Sequence, residues 1–179
     1  MEDIRLIPVT AADAQRAAAY RASFPQERTR VMLDPERIPG MDGLESCGSV
    51  EEWLRRCESM TGRVTWFMSM RVSDGKVIGF LVLRHSLEED DDDIEFASHI
   101  GYSIRPDERG RGYAKRQLQL GLQQARSIGL NRVRLVCCDT NTASDRTIRA
   151  CGGVYVDSIV GEESGLRINR YDVDLTQIR

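Results

Sequence analysis

The fold class this sequence predicts is a mixed α/β sheet, with elements in the order β-α-α-β-β-β-α-β-α-β-β. Three observations predict it. Apolar runs at 64–72, 77–87 and 96–104 follow one another closely, the first two joined by Ser73-Asp74-Gly75-Lys76, which reads as an antiparallel meander. The third run passes through a Gly-rich turn into a helical pattern and then into a further apolar run at 133–138, the pattern of a βαβ crossover. Two last runs, 154–160 and 168–175, close the sheet as a hairpin. The order is not the regular alternation of a doubly wound array.

Each element has a local cause. Residues 3–9 alternate, with Ile4, Leu6 and Pro8 on one face and Arg5 on the other, giving a first strand. Thr10 is a good N-cap for an Ala-rich helix to about Ser23, and Phe24-Pro25 ends it. Residues 25–48 read as a long loop of the kind that is usually functional or mobile. Ser49 and Glu52 form a capping box that opens a short helix carrying Trp53, Leu54 and Cys57. Trp66, Phe67, Met68 and Met70 mark the next strand, and VIGFLVLRHSL returns antiparallel to it. The acidic run Glu88 to Asp93 reads as a solvated loop, with attraction of a cationic substrate as the sharper alternative. In the strand 96–104, His99, Gly101 and Ser103 share one face, and Ile100, Tyr102 and Ile104 share the other. Ala114, Leu118, Leu122 and Ala125 then recur at helical spacing until Gly129 stops the helix. A short helix over 141–150 precedes Cys151-Gly152-Gly153.

Composition narrows the class. A chain of 179 residues, 41% hydrophobic and 30% charged, is expected to form one domain over 1–179. A net charge of −3 does not favour nucleic acid as a partner. No apolar run reaches the length of a membrane span, so no membrane partner is expected. The start, MEDIRLIPVT, lacks a basic-then-apolar leader, and the expected location is cytoplasmic. Five cysteines and two histidines without a CxxC spacing suggest reduced thiols acting as small hydrophobes, and no metal site is expected.

The chemistry is concentrated at the strand–turn–helix junction, in Arg109-Gly110-Arg111-Gly112-Tyr113-Ala114. A helix start leaves backbone N–H groups without intrahelical partners at the positive end of its dipole, which suits an anion, typically phosphate. Gly110 and Gly112 remove side chains that would block close approach. Arg109, Arg111, Lys115 and Arg116 bring four cations to an end of the helix where they oppose the dipole, and a bound anion would explain them. Neither GxxxxGK[ST] nor GxGxxG is present, so the usual nucleotide loops do not apply.

The RxxGxA spacing of Arg109 to Ala114 resembles the coenzyme A pyrophosphate loop of the GNAT superfamily of N-acetyltransferases. A second match follows the crossover: Asn141-Thr142-Ala143-Ser144, then Ile148, then Cys151-Gly152-Gly153, resembles the family's NxxAxxxYxxxGF segment. HIGYSIRPDERGRGYAKRQL looks closest to a bacterial branch of predicted acetyltransferases. The resemblance covers nearly the whole chain and implies a GNAT-like acyl-CoA N-acyltransferase fold with an acetyl-CoA site. It implies that backbone groups of Tyr102 to Ile104 pair with the pantetheine arm and that amides of Arg109, Gly110, Arg111, Gly112, Tyr113 and Ala114 hold the pyrophosphate. It places Asn141 on the pantetheine or as the cap of the last helix, with Ser144 nearby. Homodimers are common in the family, which leaves a homodimer open here.

Acetyl transfer needs a neutral amine at the thioester, donors for the oxyanion and a proton for the leaving thiolate. In the family a strand amide, a carboxylate or water, and often a Tyr supply these. Here Ile148 stands where that Tyr would be, and it has no proton to give. Tyr155 is the candidate substitute; Tyr113 is the sort of residue that packs; and a thiolate can leave unassisted because its pKa is about 8–9. For the base the candidates are His99 and Glu95, with His85 on the preceding strand. The stronger reading of His99 is a structural histidine bonded to the backbone. The leading reading is an acetyl-CoA-dependent N-acetyltransferase acting on a primary amine of a small molecule or peptide. A non-catalytic CoA- or acyl-CoA-binding module is the alternative that Ile148 supports, and an unrelated phosphate-binding α/β protein is a third.

Overall fold

The computed structural model describes residues 3–24, 37–87, 97–161 and 165–176. Glu95 and the acidic run Glu88 to Asp93 lie outside these residues, as does much of the 25–48 loop.

Strand β1 (Ile4–Pro8) leads into a turn in which the Asp13 carboxylate accepts the Thr10 N–H at 3.0 Å and the Thr10 hydroxyl at 2.8 Å. That turn is 3-10 over Ala11–Asp13 and continues as helix α1 (Ala14–Ala22). Helix α2 (Val50–Ser59) starts on its capping box: Ser49 Oγ accepts the Glu52 N–H, and Glu52 reaches one residue past the cap to the Gly48 N–H. Then come β2 (Val64–Arg71), β3 (Val77–Arg84), β4 (Ile100–Ile104), helix α3 (Tyr113–Ser127), β5 (Arg132–Cys138), helix α4 (Thr142–Ala150), β6 (Val154–Val160) and β7 (Arg167–Asp174). This is the order expected.

The edges are shorter than the apolar runs. β3 ends at Arg84 because His85 turns away, its Nδ1–H donating to Gly62 O and its Nε2 accepting from Thr65 Oγ1, both at 2.9 Å. β4 begins at Ile100, so His99 stands before the strand rather than in it.

The strands form two antiparallel sheets, ordered β1-β2-β3-β4 and β5-β7-β6. The division falls at the crossover. Among the described residues no ladder pairs β4 with β5. They are held together at their N-terminal ends, where His99 N–H donates to Arg134 O at 2.9 Å and Arg134 N–H donates to His99 Nδ1 at 3.0 Å. Beyond that clasp a gap opens along β4.

Helices cover both faces. On one, α1 and α2 bring Tyr20, Trp53 and Leu54 against Phe80, with the Tyr20 and Phe80 rings 4.8 Å apart. On the other, Leu118, Leu122 and Ala125 of α3 and Ile148 of α4 pack on Phe67, Leu81, Leu135 and Tyr171. No helix among the described residues is long and apolar enough to cross a membrane. The five cysteines are free thiols, and burial pushes the Cys57 thiol up to about 12 and those of Cys137 and Cys151 up to about 11.

Candidate functional site

The Gly-rich bend forms as its residues require. Gly110 and Gly112 stand at φ 76° and 83°, a left-handed region in which an L-side chain is strained. Gly112 is the N-cap of α3 and has no side chain with which to accept the first amides. Those N–H groups therefore lack partners within the helix and point outward from an exposed bend. A Cβ placed on Gly110 would have no heavy atom within 4 Å, so the space in front of the bend is open. Uncapped amides, a dipole end and open space together fit a diphosphate.

The register of β4 brings main-chain groups to the same gap. Its ladder with β3 runs from Gly79↔Ile104 to Leu83↔Ile100, and Arg84 N–H and Arg105 N–H bond to His99 O and Ile78 O. Because bonded pairs alternate, the N–H and C=O of Tyr102 and Ile104 turn away from β3, toward the β5 side. The Ile104 carbonyl takes the Arg109 Nε–H at 3.1 Å. Across the gap, Tyr102 Oη and Ser144 Oγ are 3.1 Å apart, tying β4 to α4. Burial raises the Tyr102 phenol well above its usual range, so it is protonated at neutral pH. Asn141 is the N-cap of α4, its Oδ1 accepting the Ser144 N–H at 3.1 Å.

Other candidates are placed differently. The Tyr113 side chain is 3% exposed, packed with Ile4, Ile78 and Ile104, so only its main chain faces the bend. Tyr155 lies on β6, with β7 between it and β5, and its hydroxyl bonds Ser158 Oγ at 2.8 Å. The bend and Tyr155 are not brought together. His99 Nδ1 is occupied by the Arg134 N–H, and burial holds its pKa below the ordinary 6.5. This is the structural role: the ring clasps β4 to β5, and the nitrogen a base would need is already accepting a bond.

That clasp has a pH signature. The unfolded chain protonates His99 near 6.5 and the folded chain only below that value. The stability it contributes is present above pH 6.5 and is lost as pH falls through the folded value. In His99→Asn, the Asn Oδ1 can accept the same N–H without titrating. The thermal midpoint advantage of the wild type over this variant is expected to shrink between pH 7 and pH 5; a difference constant with pH would contradict the clasp.

Two of the four cations of the junction are paired with carboxylates. Arg111 pairs with Glu108 at 3.1 Å and Arg116 with Asp3 at 3.2 Å, and Arg109 lies 5.7 Å from the centre of the Phe24 ring. That leaves Arg109 and Lys115 without a carboxylate partner among the described residues, and the main-chain amides carry more of the anion-binding argument than the charge count does.

Two acidic residues were missed in the sequence. Glu108, 3% exposed, receives Arg71 Nη1 at 3.2 Å from both oxygens, Lys76 Nζ at 2.6 Å and Arg111 Nη1 at 3.1 Å. Bonding to Lys76 foremost holds its carboxyl below the usual range. This anchors the 3-10 turn Pro106–Glu108, directly before the bend, to the β2–β3 hairpin. Asp42 comes to the opposite face of β4, its Oδ2 3.3 Å from where a Cβ on Gly101 would stand. It pairs with Arg84 at 3.1 Å and Arg37 at 3.4 Å. Its one legible sign was its place between turn glycines, Gly40 and Gly43.

Comparison with known proteins agrees with this fold. A family model described as an acetyltransferase (GNAT) domain matches residues 3–154. No curated protein matches in sequence. Among solved structures, the chain is similar to the Microcin C7 self-immunity acetyltransferase MccE in complex with acetyl-CoA and AMP (TM-score 0.73, 13% identity, 97% of this chain and 93% of that one). It is similar also to a putative acetyltransferase, YncA, from Salmonella typhimurium with its cofactor acetyl-CoA (TM-score 0.67, 15% identity, 97% and 95%). A chimera of the spermidine N-acetyltransferase SpeG from Vibrio cholerae gives TM-score 0.69 at 14% identity, with 97% and 96% covered.

Proposed function

The chain belongs to the GNAT acetyltransferase family, and from that premise we propose that it is an acetyl-CoA-dependent N-acetyltransferase. It moves the acetyl group directly to a primary amine of a small molecule or peptide, and residues 1–179 work as one domain. Acetyl-CoA, the ligand of two of the similar structures, supplies an activated thioester. The observation that carries the proposal is the uncapped start of α3 behind two left-handed glycines, with open space in front.

The chain's own residues divide the work. Amides of Arg109 to Ala114 hold the diphosphate, and Arg109 and Lys115 offset its charge. Main-chain groups of Tyr102 and Ile104, turned from β3, orient the arm. Ser144 Oγ, paired with the buried Tyr102 hydroxyl, donates a hydrogen bond to the leaving sulfur where Ile148, fully buried, has no group to offer, and the thiolate leaves as the anion and takes its proton from water. Asn141 fixes Ser144 by capping α4. Of the bases that the sequence offers, Glu95 is retained, because His99 Nδ1 is engaged.

Incubating the protein with acetyl-CoA and a panel of primary amines, and following free thiol, tests this. Release of thiol that depends on an amine is expected. Acetyl-CoA binding without turnover on any amine would favour the non-catalytic module that Ile148 supports. With an accepted amine in hand, Ser144→Ala is expected to lower kcat by about 10- to 100-fold with CoA affinity nearly unchanged. An unchanged kcat would mean that Ser144 does not stabilise the leaving sulfur.

A further inference from the structure

We infer that the acceptor amine carries an anionic group, a carboxylate or a phosphate, at its far end, and that it binds in the cavity between α2 and the end of the β2–β3 hairpin. The inference rests on the acetyltransferase reading above and names its substrate class. The cavity has a volume of about 350 Å³, within the range of small-ligand sites. Trp53 and Trp66 form apolar walls, and the charged lining is Arg56, Arg63, Arg84 and Asp42.

The charges there are unequal. Asp42 is satisfied by Arg84 and Arg37, and its neighbour Arg84 also donates to Ser98 O at 3.0 Å. Arg56 and Arg63 make no ion pair with any described residue, and both are exposed. The Trp66 Nε1–H, buried without a hydrogen-bond partner among the described residues, leaves another donor in the wall unused. Two guanidinium groups without an ion pair, beside an Arg84–Asp42 pair whose charges offset each other, repel a polyamine and attract an anion. This is the reverse of the cationic acceptor that the acidic run in the sequence had left open.

The position suits an acceptor. The Asp42–Arg84 pair is the part of the lining that touches β4: Asp42 lies over Gly101, and Arg84 N–H bonds His99 O. This is the N-terminal end of β4, whereas the Gly-rich bend follows its C-terminal end. Four residue steps of extended strand separate the two ends by roughly 13 Å. An amine lying against the Asp42–Arg84 pair would leave a distal anion at the exposed Arg56 and Arg63.

The chain has two tryptophans, and both line this cavity, so intrinsic fluorescence reports its occupancy directly. Three amines of similar span serve as probes, without acetyl-CoA: 4-aminobutyrate, 3-aminopropyl phosphate and 1,4-diaminobutane. One or both of the anionic probes are expected to change the fluorescence saturably, and which of the two binds tells carboxylate from phosphate. The diamine is expected to have no effect. The double variant Arg56→Gln, Arg63→Gln is expected to weaken the anionic probe at least about tenfold, with the thermal midpoint unchanged because both side chains are exposed. Binding of the diamine in preference, no response to any probe, or an anionic response insensitive to the double variant would each overturn the inference. Thiol release from acetyl-CoA then separates the two claims. Release with the diamine alone removes the anionic acceptor and keeps the transferase. Arginine-dependent probe binding with no release on any amine keeps the site and removes the transferase.

Discussion

Gly110→Ala is expected to weaken CoA binding by about 30-fold or more, some 2 kcal/mol, while the fold loses only about 1–2 kcal/mol. The stability cost comes from the backbone alone. Gly110 stands at φ 76°, and its added Cβ would touch nothing, so no packing is disturbed. The affinity cost comes from what that backbone shape does. In the proposed site it aims the amides of residues 110–114 at the diphosphate, and a residue that relaxes toward negative φ turns some of them away. The matched control is Gly129→Ala, at φ 93° past the end of α3, where a Cβ also meets nothing. It carries the same strain at the wrong end of the helix. Chemical denaturation should find the two variants equally destabilised, and calorimetry should find only Gly110→Ala deficient in CoA binding. Equal affinity losses in both would mean that the bend is merely a turn.

Glu108→Ala, in the 3-10 turn before the bend, is expected to destabilise the fold by about 2–3 kcal/mol. For a chain of this size that lowers the thermal midpoint by roughly 6 °C. The carboxylate is almost wholly buried and three cations converge on it. Removing it leaves Arg71, itself little exposed, and Lys76 with uncompensated charge. The loss stops short of the full cost of a broken buried pair because each keeps a second partner. Arg71 retains Asp74 through two bonds, at 2.9 and 2.7 Å, and Lys76 retains Asp107 at 3.0 Å. The effect depends on pH in a stated direction. The folded carboxyl lies below its ordinary value of 4.5, so its contribution is present above pH 4.5 and is lost as pH falls through the folded value. Denaturation at pH 7 should show the full difference between wild type and variant, and denaturation at pH 3 a smaller one. A difference of the same size at both would assign the loss to packing rather than charge.

These two residues mark how far the sequence could be read. Gly110 was legible because only a glycine suits a left-handed bend before a helix, and its neighbours Arg109, Gly112 and Ala114 fix the spacing. The caps at Ser49 and Asn141 and the faces of the strand carrying Gly101 and Tyr102 were legible for the same reason: each is decided within a few residues. Glu108 was not, because its partners Arg71 and Lys76 lie 37 and 32 residues earlier and meet it only when the β2–β3 hairpin folds over the turn. The same distance effect misled the count of cations, since Asp3 reaches Arg116 from the other end of the chain. Tyr155 looked close to the last helix in sequence, but β7 inserts between β5 and β6 and carries it away from the gap. The gap itself has no sequence signature, because the apolar pattern of β4 is the same whether or not its outer edge is paired.

The most direct measurement is the amide ¹⁵N–¹H spectrum of the protein titrated with CoA. The largest shifts are expected at the amides of Gly110, Arg111, Gly112, Tyr113 and Ala114, with Tyr102 and Ile104 next. An unchanged spectrum, or shifts clustered away from the start of α3, would contradict the claim that backbone donors at this bend hold the cofactor.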